Sequence, residues 1–214
     1  MKYHPILMST EMVKAIAGSR KTQTRRTRGL DVVNRSLDFA NQPNSPDEYE
    51  LIGIDGGVAY FARHAGQWEG VNIGVVYEAK FPYGQVGDRL WVKETWTTDW
   101  HTVGNDYEPD VVYKASPPPD YVTVERWRPS IYMPRWASRI TLETTGIRAE
   151  RVQDISEEDI IAEGIKDSGL GVVDLLLSYA VLWDSINAKR GYSWESNPLV
   201  WVIEFKIVEE ETKW

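Results

Sequence analysis

A threonine hydroxyl attacks a carbonyl carbon only when a nearby base takes its proton, and a lysine serves as that base only when its ammonium has become acidic. The stretch Gly18-Ser19-Arg20-Lys21-Thr22-Gln23-Thr24-Arg25-Arg26 supplies both groups. Thr22 and Thr24 offer hydroxyls, and Lys21 stands among Arg20, Arg25 and Arg26. Like charges and burial both lower a lysine pKa, and a shift from about 10.4 to about 7–8 costs ~1.4 kcal/mol per unit. Extended to Arg28, the stretch holds five cations and no acid in a chain of formal net charge -8. It is therefore also suited to face an anion or a nucleotide. On a regular strand Lys21 and Thr24 point to opposite faces, so their meeting requires the backbone to turn near Thr22.

Ser9 and Thr10 open a short helix with Met12, Val13 and Ile16 at helical spacing, and Gly18 ends it. The alternation of threonines with long polar side chains that follows suits a strand, which places the reactive stretch at a helix-to-strand junction. Residues 29–83 are polar and turn-rich, with strand-like runs at Val58–Phe61 and Ile73–Tyr77, and read as hairpin insertions. The turn Gly84–Asp88, with Asp88 as a turn residue, launches a strand in which Leu90, Val92 and Glu94 alternate with Trp91, Lys93 and Thr95. A second, loop-rich insertion covers 97–130 and includes a stiff Pro117-Pro118-Pro119 turn.

Ser138 to Ile147 alternates as a strand. Ser156 caps a helix whose first turn holds Glu157, Glu158 and Asp159, where the dipole favours acids, and Gly164 stops it. Val172 to Asn187 forms a longer helix with Val173, Leu176, Ala180, Trp183 and Ile186 or Asn187 toward the core, closed by Gly191. Leu199–Ile207 is the strongest strand, and a Glu-rich end follows it. Few long helices separate the strands, so the chain reads as one α+β domain over 1–214, a small mixed β-barrel flanked by helices, rather than a doubly wound sheet.

With 32 Asp and Glu against 24 Lys and Arg, the chain is unsuited to coating long nucleic acid, which needs many exposed cations. A single nucleotide or short RNA remains compatible. No cysteine is present, which excludes disulfides, thiolate nucleophiles and Cys-ligated zinc. His4, His64 and His101 are too dispersed for a His-rich metal site, so neither metal nor cofactor is expected. No run is long and apolar enough for a signal peptide or a membrane span, and a cytoplasmic protein without membrane contact is expected. Ten tryptophans and eleven tyrosines exceed what a core of this size requires. Some of these rings fall in Trp127-Arg128-Pro129-Ser130-Ile131-Tyr132-Met133-Pro134-Arg135-Trp136, where rings and guanidiniums interleave as they do in base-stacking surfaces or in loops covering a barrel mouth.

The combination of Gly-x-Arg-Lys-Thr-x-Thr-x-Arg after the first helix, Val86-Gly87-Asp88-x-Leu90-x-Val92, Ile155-Ser156-Glu157-Glu158 and Trp201-Val202-Ile203-Glu204-Phe205 resembles the ASCH domain family of the PUA-like superfamily. The long form, with Trp-Arg-Pro-Ser-Ile-Tyr-Met-Pro-Arg-Trp, resembles ASCH proteins of bacteriophages and prophages. The resemblance implies a β-barrel whose cleft handles RNA or modified nucleosides. Compact bacterial members are amidohydrolases that remove the acetyl group of N4-acetylcytidine. Matching their motif selects Lys21 as base, Thr24 as nucleophile and Glu163 as proton donor, with Glu157 and Glu158 as alternative acids. Arg20, Thr22, Arg25, Arg26, Trp127 and Trp136 then become candidate substrate-binding residues.

A second class is a non-catalytic module that holds RNA or a modified base on the arginines and the loop tryptophans. A third, RNA cleavage with the same lysine as base, has no histidine pair to support it. Each residue also has a structural reading: Lys21 and Thr24 as a solvated cation and a strand hydroxyl, Glu163 as a surface carboxylate, Arg25 and Arg26 as partners of the surplus acids.

Overall fold

The computed structural model describes residues 1–35, 49–68, 71–103, 106–116, 124–166, 169 and 171–208. In chain order the elements are β1 (Tyr3–Leu7), α1 (Thr10–Ala17), β2 (Gln23–Arg26), α2 (Asp31–Arg35), β3 (Tyr49–Asp55), β4 (Val58–Trp68) and β5 (Val71–Lys80). They continue with β6 (Arg89–Lys93), β7 (Trp96–Val103), β8 (Asp106–Tyr113), β9 (Thr141–Arg151), α3 (Glu157–Ala162), α4 (Val172–Asn187) and β10 (Leu199–Val208). The protein is thus α+β. The polyproline turn at 117–119 and the end beyond 208 lie outside the described residues.

The main sheet has the order β1-β6-β9-β10-β2, with β1 and β6 parallel and the other neighbours antiparallel. β10 is its centre of gravity because both of its faces are covered. Trp201, Ile203 and Phe205 enter the core that also holds Ile6, Val13, Ile16, Leu90 and Leu142. Val200 and Val202 enter a second core with Ile160, Leu175, Tyr179 and Trp183 from α3 and α4. Such continuous apolar runs are what a strand buried on both faces requires. The ladder is open between its edge strands β1 and β2. The Arg26 side chain spans that opening, donating to the Leu7 carbonyl at 2.7 Å and resting on the Met8 sulfur at 3.2 Å.

The segment expected as hairpin insertions forms an antiparallel sheet, β3-β4-β5. The loop-rich insertion expected over 97–130 instead contains the β7–β8 hairpin, in register from Trp96↔Tyr113 to Val103↔Asp106. Its sequence signal is the Gly104-Asn105 pair between two runs rich in Thr, Trp, Tyr and Val, a turn signature that the surrounding polar residues obscure.

Two local readings differ in detail. Gly18 caps α1 with φ -86, and the left-handed residue is Ser19 at φ 54. In α4 the buried residues are Leu175, Tyr179, Trp183 and Asn187, whereas Val173 is 82% exposed. The helix is apolar nearly all round from Val172 to Leu177, so spacing alone does not select its buried face. No helix among the described residues is long and apolar enough to cross a membrane.

Candidate active site

The α1 helix delivers the chain to a corner at Gly18–Ser19, held by bonds from the Ser19, Arg20 and Lys21 amides to carbonyls of α1. β2 begins only at Gln23. Before it, Lys21 forms an isolated antiparallel bridge with Glu163, and Thr22 donates to the Ala162 carbonyl at 2.8 Å. Thr22 itself is exposed. The reactive stretch is therefore pinned between the end of α3 and β10, and its corner lies at Gly18–Ser19.

Glu163 is the C-cap of α3 and 7% exposed. Its Oε2 accepts from Lys21 Nζ at 2.5 Å, its carbonyl accepts from the same ammonium at 2.8 Å, and its Oε1 accepts from Arg25 Nη1 at 3.2 Å. A helix C-terminus repels a carboxylate, and here two cations answer that repulsion directly. Glu157 and Glu158 sit in the first turn of α3, away from this contact, so the structure puts Glu163 beside Lys21.

Lys21 is 2% exposed. Burial pushes its pKa below the ordinary lysine value, the Glu163 carboxylate opposes that shift, and the Arg26 and Arg25 guanidiniums reinforce it. Gly164 keeps the lysine covered. A side chain at Gly164 would come within 2.9 Å of Ala15 and 3.2 Å of Lys21 Cβ. Arg20, exposed, donates to the Gly164 carbonyl at 3.0 Å and closes the outer side of this corner.

Thr24 and Arg25 leave β2 on opposite faces, opposite Ile203 and Val202 respectively. Thr24 Oγ1 is buried and has no hydrogen-bond partner. Thr24, Arg25, Arg26 and Glu163 nevertheless line one small pocket, together with Tyr179, Leu182, Trp183 and Ile186 of α4. Its water-accessible volume is about 20 Å³. That is room for one water, against about 300–1,000 Å³ for ordinary small-molecule sites.

The guanidinium of Arg25, expected to bind substrate, is taken up by carboxylates. Arg25 is 4% exposed, and its guanidinium donates to Glu150 at 2.5 Å and Asp159 at 2.7 Å in addition to Glu163. Burial works against its charge, but Glu163 and Glu150 outweigh it and hold the pKa above the usual arginine range. Of its two open roles, pairing with the surplus acids is the one realised. Arg148 extends the network to Glu150 at 2.9 Å, Glu204 at 2.5 Å and Asp159. Burial raises the Asp159 carboxyl pKa, and the hydrogen bonds from Arg25 and Gln23 with the Arg148 charge more than reverse this, so it lies below the ordinary value. Three cations, Lys21, Arg25 and Arg148, thus face four carboxylates, Glu163, Glu150, Asp159 and Glu204.

Sequence reading had not singled out Glu150, Asp159, Arg148 or Tyr179 for this site. Asp159 and Glu163 are four apart, one helical turn, which is the signal that would have paired them on a single face. Glu150 carries no comparable local signal, because it reaches Arg25 only through the β9–β10–β2 register. Trp127 and Trp136 do not join the pocket. Trp136 packs edge-on against Trp96 at 5.9 Å, and Arg128 bridges the Trp96 backbone, which places this loop on β7. No protein-family model, curated protein or solved structure matches the chain.

Proposed function

We propose that the protein is an amidohydrolase that removes the acyl group from N4-acylated cytidine or a related small modified nucleoside, on a PUA-like scaffold of the ASCH type. The observation that supports this reading is a lysine with a lowered pKa 2.5 Å from the Glu163 carboxylate, which in turn shares a small pocket with Thr24, whose buried hydroxyl has no hydrogen-bond partner.

In this mechanism neutral Lys21 accepts the Thr24 proton as Oγ1 bonds to the acyl carbon. The proton passes from Lys21 through Glu163 to the N4 nitrogen as the carbon–nitrogen bond breaks, leaving an ester on Thr24. Water then attacks the ester carbon, giving a proton to Lys21, which passes it to Thr24 Oγ1 as the carbon–oxygen bond breaks, so the carboxylic acid leaves and neutral Lys21 and the Thr24 hydroxyl are restored. Arg25 holds the Glu163 carboxylate in place and is a positioning residue. A nucleoside reaches Thr24 only when the α4 side chains Leu182 and Ile186 give way. The test is acetate release from N4-acetylcytidine: Lys21→Ala and Thr24→Val abolish it while Thr24→Ser retains part of it, and undiminished turnover in either of the first two sinks the assignment.

A non-catalytic nucleic-acid-binding role is the second reading. It draws on a surface where Tyr132 is 73% and Trp136 52% exposed, with Arg135 over the Tyr3 ring at 5.0 Å and Lys93 over Trp91 at 5.4 Å. Affinity for a short RNA that falls steeply with salt and with Tyr132→Ala, without turnover of any acylated nucleoside, would favour it.

A further inference from the structure

We propose that a second, separate pocket at the start of β1 binds a small organic monophosphate. It has a volume of about 480 Å³ and is lined by Lys2, His4, Lys80, Phe81, Pro82 and the turn Gly84–Gln85, with Met1, Gly56, Gly57 and Asp88 completing the wall. That volume lies within the range of small-molecule sites, unlike the closed space above Thr24. Three different segments meet here: the first residues of the chain, the β3–β4 turn and the β5–β6 connection.

The lining is cationic in an acidic chain. Lys2 and Lys80 are exposed at the rim, and neither ammonium pairs with a carboxylate among the described residues. Asp88, the acid of the wall, is already engaged. It is 3% exposed, accepts from the Lys2 amide at 2.7 Å and the Gln85 amide at 3.2 Å, and lies 3.5 Å from His4 Nε2. These amides outweigh burial and hold its carboxyl below the ordinary value, so it stands as a fixed anion behind the imidazole. It orients His4 rather than competing for the pocket. His4 Nε2 is buried without a hydrogen bond, the imidazole being half-held by Asp88 across a gap longer than a good bond.

Gly84 keeps this arrangement open. Its φ is +93, and a Cβ there would lie 2.6 Å from both Asp88 Oδ2 and His4 Nε2. Gly57, at φ +80, meets the Gly84 carbonyl at 3.2 Å by the same measure, so the two turns close the floor backbone to backbone. The phosphate sits against Lys2, Lys80 and His4, where charge-assisted contacts are strongest, and the organic part covers Phe81 and Pro82.

The experiment is an NMR and calorimetric titration of the full chain with cytidine 5′-monophosphate, inorganic phosphate and cytidine. The expected result is a saturable shift of the His4 imidazole resonances with the monophosphate, a weaker one with inorganic phosphate, and no shift of those resonances with cytidine. Lys2→Ala and Lys80→Ala each weaken monophosphate binding about tenfold, as for loss of one charge-assisted contact. Lys21→Ala leaves it unchanged. Equal shifts of the His4 resonances by cytidine and its monophosphate, an unmoved His4 signal, or wild-type affinity in the Lys2→Ala, Lys80→Ala double variant overturns the proposal.

Discussion

Replacing Glu163 by glutamine tests the central contact more sharply than replacing Lys21, because the two partners are unequally supported. Lys21→Met leaves Glu163 facing Arg25 at 3.2 Å. Glu163→Gln leaves Lys21, 2% exposed, with no carboxylate partner, while Arg25 keeps Glu150 and Asp159. Stranding a buried charge in this way costs about 3–5 kcal/mol. The lysine can escape by discharging on folding, which from an unfolded pKa of about 10.4 costs at most about 5 kcal/mol at pH 7 and about 2 kcal/mol at pH 9. Both routes give a similar loss at neutral pH, equivalent to a drop of roughly 6–20 °C in Tm for a chain of this size.

The pH dependence distinguishes that account from a generic packing defect. Lys21 holds its proton less tightly folded than unfolded, so the unfolded chain binds more protons and stability rises with pH until the unfolded lysine also discharges. Removing Glu163 withdraws the interaction that opposes the lowering. The variant's stability therefore climbs more steeply than the wild type's between pH 7 and pH 10, and the gap between them narrows. Urea unfolding at a series of pH values measures it. A Glu163→Gln loss below about 1 kcal/mol at pH 7, or one independent of pH, refutes the reading that the carboxylate sustains a buried ammonium. Combining Glu163→Gln with Lys21→Met removes the excess slope.

Asp159 gives a slope of the same sign in the acid range: its lowered carboxyl contributes stability that is full above the unfolded pKa of about 3.9 and is lost as pH falls through the folded one. Asp159→Asn thus lowers stability at neutral pH and flattens the acid limb of the stability curve below about pH 4, measured by denaturant titration. Gly84→Ala forces a side chain into φ +93 and onto the His4–Asp88 pair, and lowers stability by about 1–3 kcal/mol in thermal unfolding while displacing the His4 resonances.

What the sequence disclosed of this site follows the range of the interactions. The corner at Gly18–Ser19, the capping of α3 by Ser156 and the central place of β10 depend on neighbours within a few residues, and all three were legible. Glu163, singled out with Lys21 by the resemblance and not by periodicity, lies against it. The fate of Arg25 was not legible, because Glu150 and Asp159 arrive from β9 and α3, over 125 and 134 residues away in sequence. The buried face of α4 was misread for a different reason: with apolar residues on all sides, tertiary contact with Arg25 and Val202 decided the matter, and Tyr179 lies 5.9 Å from the Arg25 guanidinium.

The elements that dry Lys21 are not those that close the pocket. Lys21 lies beneath the Glu163–Gly164 end of α3 and against Ala15 of α1, and Gly164 sits so near both that no larger residue fits. Thr24, Arg25, Arg26 and Glu163 share their pocket instead with α4, through Tyr179, Leu182, Trp183 and Ile186. Displacing α4 side chains would expose the Thr24 hydroxyl and one side of the Glu163 carboxylate while leaving the lysine under its glycine cover. A substrate could then enter without rehydrating the base, whose lowered pKa comes first from burial. In the proposed reaction this division lets opening of the pocket and basicity of Lys21 vary independently, so Leu182→Ala raises kcat/KM by easing entry yet leaves the pH profile of turnover in place. A profile displaced toward the ordinary lysine value would show instead that α4 also supplies the burial of Lys21.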